Sequence, residues 1–154
     1  VTLHRRENWA AYESLVLSLF GLAASETFKE TEFIIVAHMN PDLRDILRTC
    51  APAQPPNVRI VEPLTHRALI EILASCLFVV TDSGGIQEEA NFMGKHCFVL
   101  RKHTERRAIP PANLTLLDAP QLRDIVVPQD ARPNDSYGTG TSTARIVQLL
   151  CELD

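Results

Sequence analysis

The chain has 154 residues, a length that suits one domain with its own hydrophobic core. Its formal net charge is −4 and its basic residues form no long run, so we expect no nucleic-acid partner. The longest apolar stretch, residues 15–24, is about half the length that a membrane-spanning helix needs, so we expect no membrane partner either.

The cysteine and histidine spacings do not support a disulfide framework or a metal site. No two cysteines form a CxxC pair, and the histidines lack the spacing of metal ligands. We expect buried thiols in a reducing compartment, a cytoplasmic location and neither metal nor other cofactor. The cysteines are Cys50, Cys76, Cys97 and Cys151.

The first part of the chain alternates between predicted strands and helices. A strand stub at 1–3 precedes a long helix at 9–25, for which Asn8 is the expected N-cap. The continuous apolar run at 33–37 is typical of a strand buried on both faces. A helix with proline in its first turn then follows at 41–48. Because the chain opens inside a strand, we expect it to be a fragment of a longer protein.

The same alternation continues through the middle of the chain. A proline-rich loop at 51–56 leads to a strand at 58–61 and a helix at 67–75. A second buried strand is expected at 77–81. The next helix starts at two glycines, and its expected range is 84–93, where Gly94 ends it.

The last third has weaker signals. A strand at 97–100 is followed by a basic loop at 101–111 and a weak strand at 114–117. An irregular stretch rich in proline and aspartate then leads to a final helix at 142–150.

This alternation predicts an α/β fold, a Rossmann-like parallel sheet with helices on both faces. In such a sheet, ligands bind beyond the carboxyl ends of the strands. Four polar clusters follow predicted strands and should therefore lie along one edge of the sheet. They are residues 4–8, 38–41, 82–85 and 101–106.

The segment 81–90 (TDSGGIQEEA) carries the sharpest motif. A buried strand runs directly into Ser83, Gly84 and Gly85, which open a helix. Bare main-chain amides at a helix start form an anion site suited to a pyrophosphate, with the serine hydroxyl as a further donor. Glu88 and Glu89 follow, and one of them could accept hydrogen bonds from the hydroxyls of a ribose. The alternative is structural: carboxylates in the first turns of a helix are stabilised by the positive end of the helix dipole.

Other side chains near this motif have both a functional and a structural interpretation. Arg101 and Arg106 would contact phosphate oxygens, although a basic loop is more often only solvated. His4 directly follows a strand and could face the cleft, and His38 is in a similar place. Isolated histidines of this kind are more often structural.

Taken together, the motifs resemble those of a known family. These motifs are HRREN at 4–8, TDSGGIQEEA at 81–90, Gly94-Lys95, and Leu100-Arg101 followed by Thr104-Glu105-Arg106. Their order and spacing over residues 1–107 are similar to those of the C-terminal half of the non-hydrolysing UDP-N-acetylglucosamine 2-epimerases. VEPL at 61–64 and Tyr137-Gly138 with Gly140 are weaker matches.

The resemblance implies a two-domain glycosyltransferase-B (GT-B) fold, with residues 1–154 as the UDP-binding C-terminal domain and no catalytic N-terminal domain in the chain. Ser83, Gly84 and Gly85 would hold the diphosphate, Glu89 the ribose, and Arg106 with Arg101 the phosphates. His4 would be the catalytic residue that faces the reacting sugar. The remaining implied residues would form a second, activating substrate site. They are Arg5, Arg6 and His38.

The family eliminates UDP from UDP-N-acetylglucosamine and adds it back to give UDP-N-acetylmannosamine, and a homodimer is expected. The acids that move the C2 proton would belong to the absent half, so we expect this chain to be inactive alone. It departs from the family pattern at residues 107–108, His96 and Thr139. A hydrolysing epimerase or a glycosyltransferase half, and a non-catalytic module that binds nucleotide sugars, remain alternatives.

Overall fold

The computed structural model of the chain describes residues 1–152. Its strands are β1 (Phe33–Val36), β2 (Val58–Val61), β3 (Phe78–Thr81), β4 (His96–Val99) and β5 (Leu114–Leu116). Its α-helices are α1 (Tyr12–Ala23), α2 (Pro41–Cys50), α3 (His66–Ser75), α4 (Gly84–Phe92) and α5 (Ser142–Cys151). Short 3-10 helices lie at Arg6–Ala11, Ala51–Ala53 and Ala119–Asp124.

All strand pairs in the described part of the chain are parallel. β1 pairs with β2, and β4 lies between β3 and β5. Thr2 joins the two groups of strands, because it forms parallel bridges to both Val36 and Thr81. The expected strand stub at 1–3 is therefore a single bridging residue at the centre of the sheet.

Helices cover both faces of this sheet, as the sequence predicts. Val80 and Phe98 point into a core shared with α1 and α2, whereas the neighbouring Val79 and Val99 point into a core shared with α3 and α4. This alternation is the two-residue period of a strand with apolar contacts on each side. The α/β, Rossmann-like prediction is confirmed.

The beginning of the first helix differs from the prediction. The α-helix starts at Tyr12 and ends at Ala23, and a 3-10 helix, Arg6–Ala11, precedes it. Asn8 is inside that 3-10 helix and does not cap α1; its side-chain amide donates instead to Asp82 and to the carbonyl of Leu100. The predicted cap was wrong because the Asn8 side chain hydrogen-bonds to the buried carboxylate of Asp82, which is distant in sequence.

The other boundaries need smaller corrections. α2 continues to Cys50, and α3 begins at His66, where the Thr65 hydroxyl caps it by accepting from the Ala68 amide. α4 ends at Phe92, one residue before the expected end, and Gly94 follows the C-cap residue Met93 with a φ of 67°, in the left-handed region. The 3-10 helix Ala119–Asp124 packs on α1 inside the segment expected to be irregular.

The four cysteines are free thiols, but they are not all buried. Cys50 and Cys97 are buried, and desolvation raises the pKa of both thiols. Cys151 is exposed, contrary to the expectation, because α5 buries none of its side chains. Within residues 1–152, every helix is too short or too polar to cross a membrane.

Candidate functional site

The four polar clusters lie together at the carboxyl ends of the strands, as expected. The main-chain amide of His4 donates to Asp82 at 3.0 Å, which joins the first cluster to the third. Glu7 reaches the guanidinium of Arg101 at 3.3 Å and so joins the first cluster to the fourth. The second cluster is adjacent, because its His38 ring lies 6.1 Å from the ring of Trp9, just beyond the first.

Asp82 is fully buried at the end of β3 and organises the loop that follows Thr2. Its carboxylate accepts hydrogen bonds from the main-chain amides of His4 and Arg5 and from the side-chain amide of Asn8. The His4 ring is next to the same carboxylate, with Nδ1 3.3 Å from Oδ1. A single side chain therefore connects the loop that carries His4 to the turn that carries the glycines.

The start of α4 has the geometry of an anion site. Ser83 precedes the helix and its side chain makes no capping hydrogen bond, and the first amides of an α-helix have no partner within the helix. A Cβ on Gly84 would lie 3.0 Å from Arg106 Nη2 and 3.1 Å from Glu105 Oε1, so glycine allows a cation and a carboxylate to approach the backbone. A Cβ on Gly85 would meet open space.

Three arginines converge on Glu105 beside this helix start. Arg101 Nη1 lies 2.8 Å and Arg106 Nη1 3.0 Å from its carboxylate, and Arg5 Nη2 lies 3.8 Å away. A hydrogen bond from its own main chain and then Arg101 lower the pKa of Glu105 against an opposing effect of burial. Arg106 also pairs with Glu88. The cluster therefore has guanidinium groups that already hold a carboxylate against Gly84.

The loop that carries Arg106 is fixed to α4 by Thr104. The hydroxyl of Thr104 donates to the buried side chain of Gln87 at 2.6 Å and accepts from the main-chain amide of Arg106 at 3.1 Å. Because Gln87 is on α4 itself, these two hydrogen bonds fix the position of Arg106 relative to the glycines that begin the helix. No sequence pattern indicates that Thr104 and Gln87 are paired.

Buried polar atoms without a hydrogen bond are concentrated at this edge. The part of the chain that the structure describes has four such side-chain atoms, of which three are Trp9 Nε1, Arg101 Nε and Arg106 Nε; the fourth is Ser25 Oγ. The two arginine atoms lie close to carboxylates but not in hydrogen-bond alignment. Unsatisfied donors are rare in native proteins and occur preferentially at functional sites.

The two glutamates of α4 both have side-chain partners. Glu88 pairs with Arg106, and Glu89 contacts His66, whose Nε2 lies 2.7 Å from its carboxylate. No sequence pattern singles out His66, because its partner Glu89 is 23 residues away. The signal that could have found it is its place at the start of α3, which packs beside α4.

The residues expected to form a second substrate site are only partly together. Arg6 lies over the ring of Trp9 at 5.7 Å, and His38 contacts the same ring at its edge. Arg5 turns instead toward Glu105, which also pairs with Arg101 and Arg106. His38 Nδ1 accepts from the Asn40 amide at 2.9 Å, and Asn40 caps α2. Trp9, which the sequence analysis did not single out, links Arg6 and His38.

Residues 1–152 contain no group of three or more His, Cys, Asp or Glu side chains that could hold a metal ion. Buried His96 hydrogen-bonds through both ring nitrogens, to the Ala112 carbonyl and the Thr115 hydroxyl, and is part of the core rather than of this edge.

Comparison with known proteins gives a consistent result. The family model for UDP-N-acetylglucosamine 2-epimerase matches residues 1–151. The UDP-N-acetylglucosamine 2-epimerase of Salmonella typhimurium is 30% identical over 164 residues, covering 97% of this chain and 43% of that protein.

Solved structures agree. The Neisseria meningitidis UDP-GlcNAc 2-epimerase bound to UDP-GlcNAc is similar with a TM-score of 0.86 and 28% identity, over 98% of this chain and 43% of that one. The Methanocaldococcus jannaschii UDP-GlcNAc 2-epimerase in complex with UDP-GlcNAc and UDP gives a TM-score of 0.78 at 25% identity, over 98% and 44%. The chain thus spans less than half the length of these relatives.

Proposed function

The chain belongs to the UDP-N-acetylglucosamine 2-epimerase family, and from this premise we propose that it supplies the UDP-binding half of an enzyme that interconverts UDP-N-acetylglucosamine and UDP-N-acetylmannosamine. Its sheet and helices form the Rossmann-like half of a GT-B fold. In this proposal residues 1–154 are the C-terminal, nucleotide-binding domain. The Neisseria meningitidis structure that it resembles contains UDP-GlcNAc, and the Methanocaldococcus jannaschii one contains UDP-GlcNAc and UDP.

The diphosphate is proposed to bind at the start of α4. The Ser83 hydroxyl and the amides of Gly84 and Gly85 would donate to its oxygens, and Arg101 and Arg106 would neutralise its charge. The observation that carries the proposal is the position of Glu105: its carboxylate is held against Gly84 by Arg101 and Arg106. Because an anionic group already fits there, a phosphate that exchanges with this carboxylate would find the same cations in place.

The sugar and nucleoside ends are assigned on either side of this pocket. Glu89 is on α4, beyond the glycines, and its carboxylate would accept from the ribose hydroxyls. It would have to share or release His66 to do so. His4 is on the other side, next to Asp82, and is proposed to be the residue that faces the reacting sugar.

The complete enzyme is proposed to eliminate UDP and add it back to the opposite face, without a metal or cofactor. The groups that move the C2 proton would come from outside this chain, which would be inactive alone.

We also propose a homodimer in the cytoplasm, and a second substrate site around Arg6 and His38 with Arg5 at its border. The contacts of Arg6 and His38 with Trp9 support such a site, whereas the position of Arg5 beside Glu105 favours the phosphate pocket for that residue.

Isothermal titration of this chain with UDP tests the pocket. We expect weak binding, and we expect Ser83→Ala and Arg106→Ala each to weaken it by about 1–3 kcal/mol if each removes a charge-assisted hydrogen bond. Arg67→Ala is the matched control, because Arg67 is 91% exposed on α3 and its one ion pair within residues 1–152 is with Glu71. Equal affinities for all four proteins would refute the assigned pocket.

The reaction is tested with the complete gene product and UDP-N-acetylglucosamine in heavy water. Deuterium at C2 of UDP-N-acetylmannosamine is the expected result. Free UDP together with N-acetylmannosamine would instead indicate a hydrolysing epimerase. Transfer of the sugar to an acceptor would indicate a glycosyltransferase, and no turnover despite UDP binding would indicate a non-catalytic module.

A further inference from the structure

Asp82 lies between the two motifs on which the proposed function depends. It directly precedes Ser83 and the glycines, and its carboxylate receives the amides of His4 and Arg5 from a loop 77 and 78 residues away in sequence. Its side chain is fully buried, whereas the His4 side chain is 44% exposed. The buried member of the pair is thus held firmly and the exposed member is open to a ligand.

All the partners of this carboxylate are N–H groups. Oδ1 receives the His4 amide, Oδ2 receives the Arg5 amide and the Asn8 side-chain amide, and the His4 amide also reaches Oδ2 at 3.2 Å. Both oxygens therefore act as acceptors. A ring nitrogen that approaches Oδ1 has to carry a hydrogen to form a favourable contact.

The His4 ring approaches this acceptor through Nδ1, at 3.3 Å from Oδ1. This contact is long and is not aligned as a hydrogen bond, and catalytic contacts of this type often become short and well aligned only when the reacting complex forms. In a neutral imidazole one ring nitrogen carries the proton and the other has a lone pair. A hydrogen bond made by one nitrogen decides which of the two is protonated. A proton on Nδ1 leaves the lone pair on Nε2.

We propose that Asp82 is a positioning residue that holds the His4 loop through its main-chain amides and fixes the imidazole with the proton on Nδ1, so that Nε2 faces the substrate with its lone pair free. The role of His4 toward the substrate rests on the proposed function. The contact between Asp82 and the ring does not, because it is a property of this chain alone.

A purely structural role for Asp82 has a different consequence. If Asp82 only holds the loop, its replacement would lower stability without any preference in the protonation of the ring. The distribution of the proton between Nδ1 and Nε2 therefore separates the two roles. Ring ¹⁵N chemical shifts report it directly.

The experiment is a two-dimensional ¹H–¹⁵N spectrum of the histidine rings of this chain, at a pH where the imidazole is neutral, with His4→Gln used to assign the signals. We expect His4 to be protonated on Nδ1 in the wild-type chain and to shift toward the Nε2–H form in Asp82→Asn. Asp45→Asn is the control, since Asp45 is an exposed carboxylate on α2 that pairs with Arg48. It should leave the His4 signals unchanged.

The wild-type spectrum decides the question even if Asp82→Asn does not fold. His4 protonated on Nε2 in the wild-type chain would overturn the proposal, as would the same tautomer in wild type and a folded Asp82→Asn.

A second readout separates this proposal from the proposed function. In the complete gene product, we expect Asp82→Asn to lower kcat by about 10²- to 10⁴-fold with KM nearly unchanged, because an imidazole in the wrong tautomer no longer acts as a general acid or base. A rise in KM alone would contradict the positioning role. If the wild-type protein has no epimerase activity, the proposed function fails, whereas the tautomer result still decides the Asp82–His4 contact.

Discussion

The parallel strands all end on one side of the sheet, the carboxyl edge, and all begin on the opposite side, the amino edge. On each side a polar side chain connects loops through hydrogen bonds, Asp82 at the carboxyl edge and Asn57 at the amino edge. The two side chains differ in what surrounds them. At the carboxyl edge, Asp82 accepts hydrogen bonds from the loop that carries His4. At the amino edge, the side-chain amide of Asn57 donates to the carbonyls of Ala23, Phe28 and Thr31 at 2.9–3.0 Å. The two residues do the same structural task with opposite hydrogen-bond polarity.

Around Asp82 the polar groups are incompletely satisfied, and around Asn57 they are nearly all paired. Three of the four described buried side-chain atoms without a hydrogen bond are at the carboxyl edge: Trp9 Nε1, Arg101 Nε and Arg106 Nε. The amino edge has instead two pockets whose lining mixes apolar side chains, such as Phe28 and Leu77, with polar ones. The two edges therefore share the same kind of loop closure and differ in the charged groups beside it: Arg101 and Arg106, each paired with carboxylates, are at the carboxyl edge.

The largest expected effect is that of Asp82→Ala. It removes the acceptor of several N–H groups, so we expect the free energy of unfolding to fall by about 3 kcal/mol, measured by urea denaturation. UDP binding should weaken as well. The matched change at the amino edge, Asn57→Ala, should lower stability by about 1–2 kcal/mol and leave UDP affinity unchanged. Equal effects of both variants on UDP affinity would remove the distinction between the edges.

A smaller effect is expected from Gly94→Ala, at the amino edge. Gly94 has a φ of 67°, and an added Cβ would lie 2.5 Å from the ring of Pro133. We expect a loss of about 1–3 kcal/mol of unfolding free energy, measured by thermal or urea denaturation, with no change in UDP affinity. A weakened UDP titration for the folded variant would show that the amino edge also takes part in binding.

The smallest effect is a dependence of stability on pH from His96. Burial lowers the pKa of this imidazole in the folded protein, partly opposed by its bond to the Ala112 carbonyl. The unfolded chain therefore takes up a proton more readily, and stability should fall as the pH drops through about 6.5, the ordinary histidine value. Urea denaturation between pH 8 and pH 5 measures this slope. His96→Gln should flatten it, whereas the exposed His103→Gln should leave it as it is in the wild type.

The sequence predicted the sheet, the glycine-led helix and the shared edge, because these follow from local apolar runs and from glycines. It did not predict the residues whose roles depend on distant partners. Asn8 has the identity of a helix cap, but Asp82, 74 residues away, competes for its amide. The pairing of His66 with Glu89 likewise depends on how α3 packs beside α4.

The most direct test of the central claim is a ¹H–¹⁵N amide spectrum of the chain titrated with UDP. If the carboxyl edge binds the diphosphate, the amides of Ser83, Gly84 and Gly85 should shift in a saturable way, while those of Asn57 and Gly94 stay in place. Saturable shifts confined to the amino edge, or no shifts at the start of α4, would contradict the assignment of this edge as the nucleotide site.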